Sequence, residues 1–138
     1  MNNENIYETI TKFCRLDIHA FTENYMYEWK TVNGIGKIRR TTAYNSWLYN
    51  FESDKVLNYI NSINVDWTQP VQLHVKYICK PHIDVQNLNK ATIDALFGLI
   101  NANGKRVTDN IVQKIVSEKI ATCKDYKDGK IFFCISNC

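Results

Sequence analysis

Between Asn87 and Ile100 the chain places apolar side chains on two sides of one helix. Leu88, Ala91, Thr92, Ala95, Leu96 and Leu99 form a broad face at helical spacing, and Ile93, Phe97 and Ile100 form a second stripe. A helix that is apolar on two sides must be covered on both, so it lies mostly buried. The spacing predicts a helix over 87–99. A narrow polar strip of Asn87, Lys90 and Asp94, at i, i+3 and i+7, runs between the two faces. On a buried helix such a strip is either paired internally or lines a cleft.

The rest of the chain supplies strands to cover that helix. Val71, Leu73, Val75, Tyr77 and Cys79 alternate with polar residues, and Pro70 and Pro81 bracket the run from outside, where a missing N–H costs least. Leu16, Ile18 and Ala20 alternate with Asp17 and His19, as in a half-buried strand. Residues 111–123 and 130–136 read as two further strands, joined as a hairpin through Lys127-Asp128-Gly129. Residues 111–119 also fit a helix. A second helix is expected over 44–63, carrying Trp47, Leu48, Phe51, Leu57 and Ile60, with a break or new cap at Ser53-Asp54. Residues 22–36 read as a loop or irregular hairpin closing on Asn33-Gly34, and 101–104 as a loop. These elements add up to an α/β fold of the α+β kind, with a mixed, mainly antiparallel sheet packed with helices.

A length of 138 residues predicts one domain, and a chain of this size hides roughly two-thirds of its unfolded surface. The expected division is an N-terminal extension over 1–14 and a single domain over 15–138. No apolar run approaches the roughly 18 residues of a membrane span, and MNNENIYETITKF does not read as a secretion signal. The five cysteines, Cys14, Cys79, Cys123, Cys134 and Cys138, make no CxxC and read as reduced thiols of a cytosolic protein. A net charge of +3 is too small to name a partner, so local placement of charge has to carry that argument.

The chemistry-bearing residues concentrate between Asp84 and Asp109. Asp84, Gln86 and Asn87 precede the helix, Lys90 and Asp94 ride on it, and Asp109 follows a polar loop. Lys90 and Asp94 at i, i+4 can equally be a helix-surface pair, and Asp84 and Gln86 can be N-terminal caps. Basic residues flank the region: Lys37, Arg39 and Arg40, Lys76 and Lys80, and Lys105 with Arg106 close to Asp109. Tyr25, Tyr27 and Trp29 alternate as on one face, which suits base stacking, core packing or a subunit contact. His82 lies two residues before Asp84.

Asp84-Val85-Gln86-Asn87-Leu88-x-Lys90, then Asp94-Ala95-Leu96, then Thr108-Asp109 and the downstream Lys119 resemble the RusA family of Holliday-junction resolvases. The family pattern is D-x-D-N-L-x-K-x-x-x-D-A-L, then an Asp ending a loop, then a Lys on the following strand. Asn24, Tyr25 and Tyr27, and Arg39-Arg40-Thr41-Thr42, resemble it more weakly upstream. The resemblance implies a small homodimeric endonuclease of RusA-like fold that nicks four-way DNA junctions symmetrically with Mg²⁺ or Mn²⁺. It further implies a phage or mobile-element protein acting in the cytoplasm of a bacterial host cell.

By that resemblance Asp84 and Asp109 are metal ligands, Lys90 and Lys119 lie near the scissile phosphate, and Asp94 is the acid on the inner helix face. Arg39, Arg40, Lys80, Lys105, Arg106 and Tyr25 are the expected DNA contacts. Gln86 departs from the pattern, because the family carries a second catalytic aspartate there. A Gln carbonyl can ligate a hard cation but brings no charge, so it weakens the metal and its power to acidify water. Gln86 leaves three readings open: an inactive site, a neutral ligand on a weaker metal, or compensation by an acid such as Asp94. Two rival functions follow, a RusA-fold protein that binds DNA or a protein partner without cutting, and an interaction domain unrelated to DNA.

Overall fold

The computed structural model describes residues 12–105 and 107–138. Most of the expected extension over 1–14, and Arg106, therefore lie outside the described residues. Strand β1 is Cys14–Leu16, β2 Tyr27–Val32, β3 Ile35–Arg40, β4 Val71–Ile78, β5 Val112–Ile120 and β6 Lys130–Asn137. Helix α1 is Thr42–Tyr49, α2 Ser53–Ser62 and α3 Asn89–Ile100. The fold is mixed α+β with a mainly antiparallel sheet, as the alternation and helical spacing predict.

The four-stranded sheet has the order β1-β6-β4-β5. Strands β1 and β4 run antiparallel to β6, while β5 runs parallel to β4, from Val71 opposite Val112 to Ile78 opposite Ile120. This corrects the hairpin expected at Lys127-Asp128-Gly129. Residues Tyr126–Asp128 form a 3-10 turn, and the chain then crosses to place β6 between β1 and β4. Side-chain polarity explains the swap. Ile131, Phe133 and Ile135 of β6 are buried, as a central strand requires, whereas β5 carries Gln113, Lys114, Glu118 and Lys119 exposed at the sheet edge.

A parallel neighbour needs a crossover, and α3 provides it. Its broad face buries Leu88, Ala91, Thr92, Ala95 and Leu96. Its second stripe is covered too: Phe97 and Ile100 are buried, and Phe97 lines a cleft with Tyr44 and Leu48 of α1. The predicted break in the 44–63 helix is real and falls at residues 50–52, ahead of Ser53. Phe21, Tyr44, Trp47 and Phe51 form an aromatic layer, with ring centroids 5.1–6.1 Å apart, and Trp47 Nε1–H donates to the His19 carbonyl at 2.7 Å. Ile18 and Ala20 are buried as expected, but they sit in irregular chain beyond β1, whose ladder ends at Leu16.

Of the two readings of 22–36, loop or irregular hairpin, the hairpin holds, and it is regular and runs over 27–40. Asn33 and Gly34 both take positive φ, 54° and 77°, the two-residue turn whose twist matches that of the strands. Among the described residues no helix is long and apolar enough to cross a membrane, and all five cysteines are free.

Candidate functional site

The entry to α3 is built by local capping. Asp84, in extended conformation, accepts a hydrogen bond from the Gln86 N–H at 3.1 Å and starts the 3-10 turn Val85–Leu88. That turn hands the chain to α3 with Asn89 directed inward. Asn89 Oδ1 accepts from the Tyr77 hydroxyl at 2.8 Å and from the Ser117 hydroxyl at 2.9 Å, so α3 is pinned to both β4 and β5. The next residue, Lys90, donates from Nζ to Asp94 Oδ2 one turn on at 3.4 Å.

Beyond α3 the chain has to reverse before entering β5. Gly104, at φ 83°, makes the reversal, and buried Val107 packs the returning segment against the core. Asp109 then opens the 3-10 turn Asp109–Ile111. The returning segment lies along the C-terminal half of α3, and Asp94 and Asp109 open into one cleft of about 300 Å³, shared with Arg40, Tyr44, Asn101 and Thr108. The electrostatics agree. Asp94 raises the Lys90 pKa most, with Tyr27 and Asp109 adding to it. Burial first, and Asp94 second, push the Tyr44 phenol up. The Arg40 guanidinium lies 5.6 Å from the Tyr44 ring centre, so a cation stands on the same rim as the two acids.

Asp84 sits in a different cleft, of about 360 Å³, lined by Thr22, Asn24, Tyr25, His82, Asn87 and Tyr126. Topology separates it from Asp109. The chain leaves β4 at one end of the ladder and enters β5 at the other, so the residues before and after α3 fall at its opposite ends. From Asn89 to Gly98 the helix rises roughly 13 Å. Gln86 is exposed and lines neither cleft. Among the described residues no group of three or more His, Cys, Asp or Glu converges. No family model and no curated protein matches this chain.

Two carboxylates, Asp94 and Asp109, line the first cleft. Mg²⁺ keeps several waters and is usually held by one or two carboxylates plus substrate phosphates, which two acids beside Lys90 and Arg40 allow. A cage built on Asp84, Gln86 and Asp109 together is not what this arrangement offers.

The remaining expected residues spread along the molecule. Lys119 donates to the Pro81 and Ile83 carbonyls at 2.8 and 2.9 Å and so braces the segment that carries Asp84. Arg39 lies 3.9 Å from Glu28 across the hairpin, Lys105 is exposed in the turn before Asp109, and Lys80 is half-buried beyond β4. Lys76 stands 3.7 Å from Glu118 and 4.8 Å from the Phe13 ring centre. Tyr25 and His82 both line the Asp84 cleft. Tyr44 and Asn89 were not singled out from the sequence. Tyr44 marks there only the start of the expected 44–63 helix, and no local signal distinguishes Asn89 from its amide neighbours.

Proposed function

We propose that this chain is a RusA-like endodeoxyribonuclease that hydrolyses phosphodiester bonds at branched DNA during recombination or repair. The observation that carries the reading is the cleft shared by Asp94 and Asp109, with Lys90 against Asp94 and Arg40 on the rim. Asp109 and Asp94 would hold a Mg²⁺ or Mn²⁺ ion, which would supply Lewis acidity toward the phosphate and an acidified water. Lys90 offsets charge that builds on the phosphate, and Arg40 holds the neighbouring backbone. Asp84 stands in the separate cleft at the other end of α3, where Tyr25 and His82 line a path for the strand away from the metal. Lys119 acts by fixing the Asp84 segment. Symmetric nicking requires two such clefts related by a two-fold axis, so the working form is an isologous homodimer. The setting that goes with this activity is a phage or mobile-element gene expressed in a bacterial cytoplasm.

A second reading rests on Gln86, an uncharged residue where the RusA pattern has an acid, together with the separation of Asp84 from Asp109. In it the chain binds branched DNA but cuts poorly or not at all. One comparison separates the two. The unmutated protein and Gln86→Asp are incubated with a labelled four-way junction and Mg²⁺ or Mn²⁺, and products are resolved on a denaturing gel. The nuclease reading expects nicking by the unmutated chain. The binding reading expects none from either protein, because position 86 lines neither cleft, while both still bind the junction.

A further inference from the structure

The β2–β3 hairpin stands apart from the four-stranded sheet and, among the described residues, pairs only with itself. Isolated hairpins are marginal in water, and this one is held at its base. Met26 is buried there, the Thr41 N–H donates to the Met26 carbonyl at 3.0 Å, and the Tyr27 ring lies 6.1 Å from that of Tyr44. Beyond that base every residue of both strands is exposed except half-buried Gly36.

The register sorts the side chains into two faces. Tyr27 opposite Arg40, and Trp29 opposite Ile38, make an apolar face with one cation; Glu28 opposite Arg39, and Lys30 opposite Lys37, make the other face basic up to an apolar tip of Val32 opposite Ile35. Trp29 is 68% exposed yet seated, because its indole lies across Gly36 where any Cβ would overlap the ring. Residues 27–40 hold four basic side chains against one acid, a net +3 that equals the charge of the whole chain. Lys30 and Lys37 sit directly opposite each other, a like-charge pair that costs the free hairpin stability and that an anion relieves. The same charge disfavours a second copy of this hairpin as the occupant.

We propose that the β2–β3 hairpin is an arm that holds unpaired nucleotides, with a base stacked on Trp29 beside Ile38 and phosphates at Arg40, Lys30 and Lys37. A ribbon with one stacking face and one basic face fits between two strands that diverge. The proposal rests on the branched-DNA reading above and names the part of the substrate that this segment grips.

The test is metal-free fluorescence anisotropy, using a labelled oligothymidylate strand and a blunt duplex of equal length, over a series of salt concentrations. Trp29→Ala should weaken single-strand binding about 10-fold and duplex binding much less, whereas Trp29→Phe should retain most of it. Lys30→Ala with Lys37→Ala should weaken both and flatten the salt dependence. Unchanged single-strand binding by Trp29→Ala overturns the proposal. So does a change of oligomeric state in the hairpin variants, seen by sedimentation, with DNA binding intact, since the face would then belong to a second copy. The assay scores no cutting, so a chain that binds through Trp29 but never nicks keeps the arm and loses the nuclease. A chain that nicks while Trp29→Ala binds normally does the reverse.

Discussion

Lys119 Nζ on the edge strand lies 2.9 Å from the Ile83 carbonyl, and donates as well to the Pro81 carbonyl. Two charge-assisted bonds to one loop tie the end of β5 to the segment that carries Asp84. Lys119 is thereby a positioning residue, and its ammonium is already engaged before any phosphate arrives.

Lys119→Met should therefore loosen that loop. The expected cost is about 1 kcal/mol, discounted for the exposure of the side chain. Denaturant midpoints give the stability, and amide exchange at residues 83–88 gives the loop. Faster exchange there, together with weaker nicking, is the expected pair. Weaker nicking with unchanged exchange would make Lys119 a direct phosphate contact instead.

Asn89 is the polar pin beneath α3, because its single carbonyl oxygen accepts from both Tyr77 and Ser117. Asn89→Leu leaves the fully buried Tyr77 hydroxyl without that acceptor and should destabilise by about 1–3 kcal/mol. Adding Tyr77→Phe removes the orphaned group and should recover part of the loss. A double-mutant cycle by urea denaturation measures the coupling, and an additive result would show that the hydroxyl finds another acceptor.

Acid should weaken the β1 corner. The Arg15 guanidinium, and then Lys55, hold the Asp17 carboxyl below its ordinary value of 3.8. A folded-state pKa that is depressed contributes stability above the unfolded value, and that contribution is lost as pH falls through the folded one. Asp17→Asn should consequently lower stability slightly near neutrality, where that contribution is present, and converge with the unmutated protein below about pH 4. Melting temperatures measured from pH 7 to pH 3 check this, and parallel curves for the two proteins would contradict it.

The parts of the fold with one dominant signal were legible in the sequence. The alternation of 71–79 and the two-sided α3 gave the sheet's central strand and its crossover helix almost to the residue, because burial on a fixed period leaves few alternatives. The β5–β6 connection was misread, because Asp-Gly is a local signal whereas strand order is decided by which strand is apolar enough for the centre. At the site, Lys90 beside Asp94 follows from helical spacing. That Asp109 joins Asp94 rather than Asp84 does not, because it depends on the parallel β4–β5 pairing and on the reversal at Gly104. The residues around 101–104 mark a loop, but nothing near Asp109 marks the parallel pairing that decides where that loop leads.

The most direct test compares the unmutated protein with Asp109→Asn on a labelled four-way junction, with Mg²⁺ or Mn²⁺ and with chelator, while junction binding is measured in parallel. The account predicts metal-dependent nicks from the unmutated protein, a fall of about 100-fold or more in Asp109→Asn, and equal binding by both. Nicking by Asp109→Asn at the unmutated rate, or tight binding by the unmutated protein with no nicks under either metal, would contradict it.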